Sequence, residues 1–232
     1  MKPIIGIVEW PYLDKDEDKV YEVMIPVVEW IIRSGGRPIG IFPTQIENFL
    51  DKRIPEIESM TTTELNELKE SIIMCDGIIK PGATRIYPHE NIIYDMTCEL
   101  DMPYLGICGG MQIMRNHNTE YVPNVKNDTL INHHSKEEYA HEVNIIKDSK
   151  LHSILNKDSI MVNSRHNFHV PDSGIKRVAA KASDGIIEAL EDPKKLFNIG
   201  VQWHPELLSP QDENSINLFG EFIESAKTYK KR

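Results

Sequence analysis

The stretch YLGICGGMQIM, residues 104–114, decides the fold, because an apolar run changes into an amphipathic run at Cys108. Glycines stand two positions before and two positions after this cysteine, at 106 and 110. Glycine–any–nucleophile–any–glycine is the pattern of a nucleophile elbow, a strained turn between a strand and a helix. It predicts that Cys108 projects from the end of a strand. The pentapeptide alone is equally compatible with a core cysteine beside a structural turn.

The residues after the cysteine favour chemistry at the thiol. A helix that begins at Gly109 directs its N-terminal amides and the positive end of its dipole at Cys108, which favours the thiolate. The backbone N–H of Gly109 is then suitably placed to form part of an oxyanion hole. Residues 104–114 therefore predict an activated nucleophile if a base lies nearby.

A base is present near the C-terminus, in the stretch GVQWHPE at 200–206. A strand delivers His204, Pro205 ends that strand, and the carboxylate of Glu206 can reach the imidazole. A cysteine nucleophile requires a base, and the base requires an orienting partner. The histidine–glutamate pair is weak evidence alone, but the order cysteine, histidine, glutamate makes it a candidate catalytic triad.

The remaining pattern predicts an α/β fold. Short apolar strands at 3–8, 38–42, 77–82 and 104–108 alternate with helical spacings, which implies a parallel sheet covered on both faces. The first helix is expected over 20–32, kinked at Pro26. Thr61 and Glu64 form a predicted capping box that begins a second helix. Short strand-like segments follow in the second half, and a last helix is expected over about 213–229. We expect a single domain over residues 1–232.

Composition excludes several classes of protein. The 232 residues carry a net charge of −10, which argues against a general nucleic-acid binder. The apolar runs are too short for a membrane helix, and the N-terminus reads as a first strand rather than a signal peptide. Cys75, Cys98 and Cys108 show no paired spacing, which disfavours zinc ribbons and disulfides and favours a reducing compartment. Cytoplasmic localisation is therefore expected.

Together, GICGGMQ and GVQWHPE resemble the class I glutamine amidotransferase superfamily. Further blocks are similar to its gamma-glutamyl hydrolase branch, the C26 peptidases that include gamma-glutamyl-gamma-aminobutyrate hydrolases. These blocks are IIGIV at 4–8, SGGRPIGIFP at 34–43, CDGIIKPGATRIYPHE at 75–90, HEVNI at 141–145, VNSRHNF at 162–168 and DGIIEAL at 184–190. The resemblance implies a single-domain, three-layer flavodoxin-like sandwich with a mostly parallel central sheet.

The resemblance also implies roles for particular residues. Cys108 would be the nucleophile, His204 the base and later the acid, and Glu206 the orienting carboxylate. The remaining positions are an oxyanion hole at Gly82, Ala83 and Gly109, and a substrate pocket lined by Gln112, Ser164, Arg165 and His166. No cofactor and no metal are implied.

The chain departs from the family pattern in three places. After the elbow it has Gly109, where relatives usually have arginine or leucine. Relatives often carry a glycine pair and an acid where this chain reads GATR, 82–85, which puts the conformation of that loop in doubt. They also tend to have a glycine-rich stretch near 118–130, where this chain reads NTEYVPNVKNDTL. That region often borders the leaving-group side of the site, so we expect substrate choice to differ from that of relatives.

Histidines and basic residues outside the triad allow two interpretations each. His133, His134 and His141 are expected to be pocket-wall or surface residues, because no carboxylate or cysteine completes a recognisable ligand spacing. Four basic residues within or beside the motifs could attract an anionic leaving group, although a solvent-facing side chain is the simpler interpretation of each. They are Lys80, Arg85, Arg115 and Arg165.

Three functions compete. The first is a hydrolase that cleaves the gamma-glutamyl amide of a small amine, such as gamma-glutamyl-4-aminobutyrate or a phosphate-bearing amide, through a cysteinyl thioester. The second is a glutaminase subunit that passes ammonia from glutamine to a separate synthase partner. The third is an inactive binding module, which the intact triad disfavours. The resemblance favours the hydrolase, with a small-molecule substrate, no nucleic-acid or membrane partner, and a homodimer left open.

Overall fold

The structure of the protein is a computed structural model, and it describes residues 1–46, 49–50, 56–83 and 85–231. Its strands are Ile4–Val8 (β1), Trp10–Leu13 (β2), Lys19–Glu22 (β3), Arg37–Ile41 (β4), Gly77–Lys80 (β5), Tyr104–Ile107 (β6), Val125–Lys126 (β7), His141–Ile145 (β8), Ser159–Val162 (β9), Phe168–His169 (β10), Arg177–Ala182 (β11), Ile187–Glu191 (β12) and Asn198–Val201 (β13). Its α-helices are Ile25–Arg33 (α1), Thr62–Ile73 (α2), Pro88–Glu99 (α3), Gly109–Arg115 (α4), Lys150–Leu155 (α5) and Glu213–Tyr229 (α6). A short 3₁₀ helix covers Pro205–Leu207.

Within the described ranges, nine strands form one mixed sheet in the order β4-β1-β5-β6-β13-β12-β11-β8-β9. The first five strands of this order, β4-β1-β5-β6-β13, are parallel to one another. The strands from β13 to β9 pair antiparallel. The predicted α/β class is confirmed. The parallel arrangement holds for the half of the sheet that carries the elbow.

Helices cover both faces of this sheet and bury two cores. On one face α1 and α6 pack together, with the rings of Trp30 and Phe219 stacked 5.1 Å apart. On the other face Leu68 of α2, Ile93 of α3 and Met111 of α4 pack in the second core. The result is three layers, helix–sheet–helix, as predicted.

The first helix differs from its prediction. Residues 19–22 form β3, which pairs with β2 in a hairpin, and α1 begins only at Ile25. Pro26 lies in the first turn of α1, where the N–H that proline lacks would have no acceptor in any case. The proline therefore starts the helix and does not kink it.

Other helix boundaries agree with the sequence. Thr61 and Glu64 form the predicted capping box of α2, and α6 spans residues 213–229 as expected. The sequence patterns missed α5 and the two-residue strands β7 and β10, which are too short to show a periodicity. None of the helices in the described residues is long and apolar enough to span a membrane.

Candidate active site

The elbow at Cys108 is a tight turn with an unusual backbone. Cys108 follows β6 directly, precedes α4, and has φ 51° and ψ −105°, a strained conformation for a residue with a side chain. A Cβ on Gly106 would lie 2.5 Å from the carbonyl of Gly110, and one on Gly110 would lie 2.1 Å from the Lys80 carbonyl oxygen. The two glycines therefore let the helix pack directly onto the strands.

His204 reaches the elbow from the neighbouring strand of the sheet. β13 pairs in parallel with β6, and the backbone N–H of Cys108 donates to the Val201 carbonyl over 2.8 Å. The Cys108 side chain lies close to the His204 imidazole, since a Cβ built on Gly82 would meet both, and it helps to raise the pKa of His204. Nδ1 of that imidazole lies 2.6 Å from Oε1 of the buried Glu206. The structure thus brings the three predicted triad residues together.

The electrostatics of His204 favour its charged form. Burial lowers the pKa of His204, but the Glu206 carboxylate and the Cys108 side chain outweigh this effect and raise the pKa to about 10. An imidazolium at neutral pH has the charge that stabilises a neighbouring thiolate. The arrangement can therefore hold a thiolate–imidazolium pair.

Two residues that the sequence reasoning missed support the pair. Gln202 Nε2 donates to Cys108 Sγ over 3.4 Å. Asn163 clamps the backbone of His204: its Nδ2 donates to the His204 carbonyl over 2.7 Å, and its Oδ1 accepts from the His204 N–H over 2.8 Å. Gln202 lies within the quoted block GVQWHPE, two positions before His204, but β13 ends at Val201, so strand alternation does not predict its contact. Asn163 lies within the quoted block VNSRHNF, but nothing in its spacing points to His204.

The predicted oxyanion-hole residues meet beside the thiol. A Cβ built on Gly82 would lie 2.8 Å from His204 Cε1 and 3.2 Å from Cys108 Cβ. One built on Gly109 would lie 3.4 Å from the backbone nitrogen of Ala83. The N–H of Gly109 belongs to the first turn of α4 and has no acceptor within the helix. The oxyanion-hole assignment stays a prediction, and Thr84 of the GATR loop lies outside the described residues.

The predicted substrate residues occupy different environments. Gln112 bridges the network, donating to Gln202 Oε1 over 3.0 Å and accepting from Asn124 over 2.7 Å. Ser164 is buried and donates to the His133 carbonyl, whereas Arg165 is exposed. His166, the fourth, is buried among other histidines. Their roles as substrate ligands stay predictions.

Of the four basic residues considered as attractors of an anionic leaving group, Lys80 and Arg115 are buried. Lys80 is 1% exposed and its Nζ lies 3.1 Å from Glu90 Oε1. Arg115 is buried and lies 2.8 Å from Asp172. Both follow apolar segments, so their stems are drawn into the core. Lys80 is paired with the buried Glu90, whereas Arg115 is paired with Asp172, whose side chain is 55% exposed. Arg165 forms no ion pair with any residue in the described part of the chain.

Comparison with known proteins adds independent observations. The family model described as Peptidase C26 matches residues 3–206. A provisionally named glutamine amidotransferase-like protein of Rickettsia prowazekii is 29% identical, over 94% of both chains. A Schizosaccharomyces pombe protein provisionally named a glutamine amidotransferase is 30% identical, over 89% of this chain and 83% of that protein. Among solved structures, the glutaminase domain of Trypanosoma brucei CTPS with bound acivicin superposes with a TM-score of 0.69 at 18% identity, covering 97% of this chain and 94% of that one.

Proposed function

We propose, on the premise that this chain belongs to the Peptidase C26 family, that it is a cysteine-dependent hydrolase of small gamma-glutamyl amides. Family membership and the glutamine amidotransferase-like relatives support a hydrolase. The observation that supports gamma-glutamyl amide hydrolysis is the grouping of Cys108, His204 and Glu206, in which the imidazole lies 2.6 Å from the Glu206 carboxylate. Three groups so arranged are the minimum equipment for acyl transfer through a thioester.

The first half-reaction transfers the glutamyl group to sulfur. The Cys108 thiolate attacks the gamma-carbonyl carbon, and the carbonyl electron pair moves onto oxygen. The N–H groups of Gly109 and Ala83 stabilise that oxyanion. When the oxyanion collapses, the C–N bond breaks and His204 gives its proton to the departing amine. A glutamyl thioester remains on the enzyme.

The second half-reaction returns the enzyme to its starting state. His204, now neutral, takes a proton from water as the water attacks the thioester carbonyl. Glutamate leaves, the sulfur departs as thiolate, and the imidazolium is restored beside it. Glu206 keeps the imidazole oriented and its charge compensated through both steps, and Asn163 holds the backbone from which the ring projects.

A substrate panel tests this function on the purified chain alone. Gamma-glutamyl-4-aminobutyrate, a gamma-glutamyl anilide, a phosphate-bearing gamma-glutamyl amide and glutamine are supplied separately, and released glutamate is measured. We expect turnover of at least one gamma-glutamyl amide, and a loss of several orders of magnitude in Cys108→Ala, because the nucleophile and base act as a unit. Cys75→Ala is the matched control, since its buried thiol lies outside the site. Activity in Cys108→Ala within tenfold of the parent would exclude the proposed nucleophile.

The alternative is a glutaminase that supplies ammonia to a synthase partner. The similarity in fold to a glutaminase domain favours it as the second candidate. Both functions share the same thioester chemistry and differ in the amine that leaves. Glutamine turnover that appears only when a second protein is added, with no turnover of the larger amides, would select the glutaminase.

A further inference from the structure

Three imidazoles and one carboxylate converge behind the active site. The members of this buried histidine cluster are His133, His141, His166 and Glu188. Each is more than nine-tenths buried, and one ligand atom from each lies within 4.8 Å of the others. They come from a loop, from β8, from the segment after β9 and from β12, so the fold alone brings them together.

The inward-facing atoms of the cluster lack hydrogen-bond partners. His133 Nδ1, His141 Nε2 and His166 Nε2 lie 3.2, 3.6 and 3.5 Å from the same oxygen, Oε1 of Glu188, and none of them completes a hydrogen bond. If all three imidazoles are neutral, unpaired lone pairs point at a carboxylate, and if all three are charged, the cluster buries more positive charge than Glu188 and Asp184 balance. In any protonation state the inner atoms complete no hydrogen bond in the structure, and buried polar atoms without partners are costly.

The outward-facing nitrogens of the same rings are all engaged. Nε2 of His133 lies 2.9 Å from Asp184 Oδ2. Nδ1 of His141 lies 3.3 Å from the Glu142 carbonyl, and Nδ1 of His166 lies 3.1 Å from the Phe168 carbonyl. Metal-binding histidines share this pattern, in which the outer N–H donates to a carboxylate or carbonyl and the inner lone pair faces the ion.

We propose that the buried histidine cluster binds one zinc ion in a closed, four-coordinate site. Zinc ligands about 2.0–2.1 Å from the ion stand about 3.4 Å apart at the corners of a tetrahedron. The three distances to Glu188, 3.2–3.6 Å, match that edge, and small side-chain shifts would close the remaining separations. Two charges on zinc balance one on Glu188 and one on Asp184, so the site as a whole is neutral.

The position of the cluster gives the ion a structural role. Ser164 Oγ and the His166 N–H both donate to the His133 carbonyl, over 2.8 Å each. The Glu188 carbonyl accepts from the backbone N–H of Gln202, the residue that contacts the thiol. A zinc ion would therefore fasten the wall carrying Asn163 and Ser164 to β12, and His166 would serve as a ligand of the ion rather than of the substrate. With four protein ligands it has no open position for catalysis.

Zinc binding is measured in the full chain carrying Cys108→Ala, because a thiolate beside an imidazole would itself bind zinc. The chain is stripped with a chelator, and zinc stoichiometry is then determined by titration and elemental analysis. We expect one zinc per chain, and a Tm raised by about 5–10 °C when free zinc is 100 times its Kd. Cobalt in place of zinc should give the intense visible absorption of a tetrahedral ion.

Matched variants locate the ion. Glu188→Gln and His141→Ala should lose stoichiometric zinc and the Tm increase, whereas His134→Ala, an exposed neighbour of the cluster, should keep both. Absence of stoichiometric zinc in the Cys108→Ala chain would overturn the proposal, and so would zinc binding retained in folded Glu188→Gln. If the cluster variants do not fold, the cobalt spectrum of the Cys108→Ala chain decides, and an octahedral spectrum rejects the site. These readouts do not depend on turnover, so they are separate from the test of the hydrolase.

Discussion

The surrounding residues strongly control the charge of the His204 imidazole. Its pKa is raised to about 10, and after burial, which opposes the rise, the Glu206 carboxylate is the largest cause. Since the folded-state pKa lies above the ordinary value, the second imidazole proton of His204 is present at neutral pH and is lost only as the pH rises toward 10. The parent should therefore remain active on the alkaline side of neutrality.

Glu206→Gln should lower kcat/KM by about a hundredfold or more and move the alkaline limb of its pH profile to lower pH. The amide still accepts a hydrogen bond, but it no longer carries the charge that raises the imidazole pKa. Kinetics from pH 6 to about 10.5 measure both effects. Glu213→Gln, which alters an exposed pair with Lys157, is the control and should leave the profile unchanged. A Glu206→Gln enzyme with the parental profile would mean that another group orients the base.

Arg165 is the residue that we propose to bind an anionic leaving group. Its exposed side chain lies two positions from Asn163, which clamps His204. A charged hydrogen bond of about 1.5–3 kcal/mol corresponds to roughly a tenfold to hundredfold preference. We expect Arg165→Ala to lower the preference for gamma-glutamyl-4-aminobutyrate over a neutral amide of equal length by roughly tenfold to hundredfold. The ratio of the two kcat/KM values measures it, with the exposed Arg37→Ala as control. An unchanged ratio would rule out this role.

At the scale of elements, the junction of β6 and α4 depends on glycine. A Cβ at Gly110 would lie 2.1 Å from the Lys80 carbonyl oxygen, a backbone atom that cannot rotate away. Gly110→Ala should therefore push α4 off β5, lower the free energy of unfolding by about 1–3 kcal/mol and abolish activity by displacing the thiol. Thermal and denaturant unfolding measure the loss.

Gly220→Ala is the control for that substitution. It lies within α6, where an added Cβ meets no atom within 4 Å. Alanine is the better helix former, so this variant should be more stable by up to about 1 kcal/mol. Parental stability in Gly110→Ala would contradict the close packing described for the elbow.

Elements with a strong local signal were predictable from the sequence, and those set by distant partners were not. The capping box at Thr61 and the elbow at Cys108 depend on residues within a few positions of each other, and both are present in the structure. The segment 19–22 has helical spacing, yet it pairs with β2, because an available strand edge outweighs a weak local preference. Pro26 then marks the start of α1.

The same division applies to the site. Glu206 lies two residues from His204, so its contact could be predicted from the chain alone. The contacts of Asn163 with His204 span 41 positions, and the members of the buried histidine cluster are spread from 133 to 188. No local spacing encodes such contacts. They follow from the order of strands in the sheet, which the sequence patterns did not predict.

Across the whole molecule, one sheet connects the two halves of the chain. Strands from residues 4–107 and from residues 141–201 share it, and α6 returns to the first half, where Lys230 lies 2.7 Å from Asp76. Asp76 in turn accepts from the N–H of Ile4 at the start of β1 over 2.7 Å. The assignment of residues 1–232 to a single domain stays a prediction that this continuity supports.

Cys108 precedes β13 and His204 in the sequence, although β6 and β13 are neighbours in the sheet. The ribosome therefore makes the proposed nucleophile before it makes the proposed base. A nascent chain that has emerged through α4 carries Cys108, but residues 198–206 do not yet exist. Pairings between segments so distant in sequence form late in folding. An incomplete chain on the ribosome therefore lacks the proposed base, and its Cys108 side chain has no imidazole beside it. Completion of the sheet and assembly of the reactive pair are the same event.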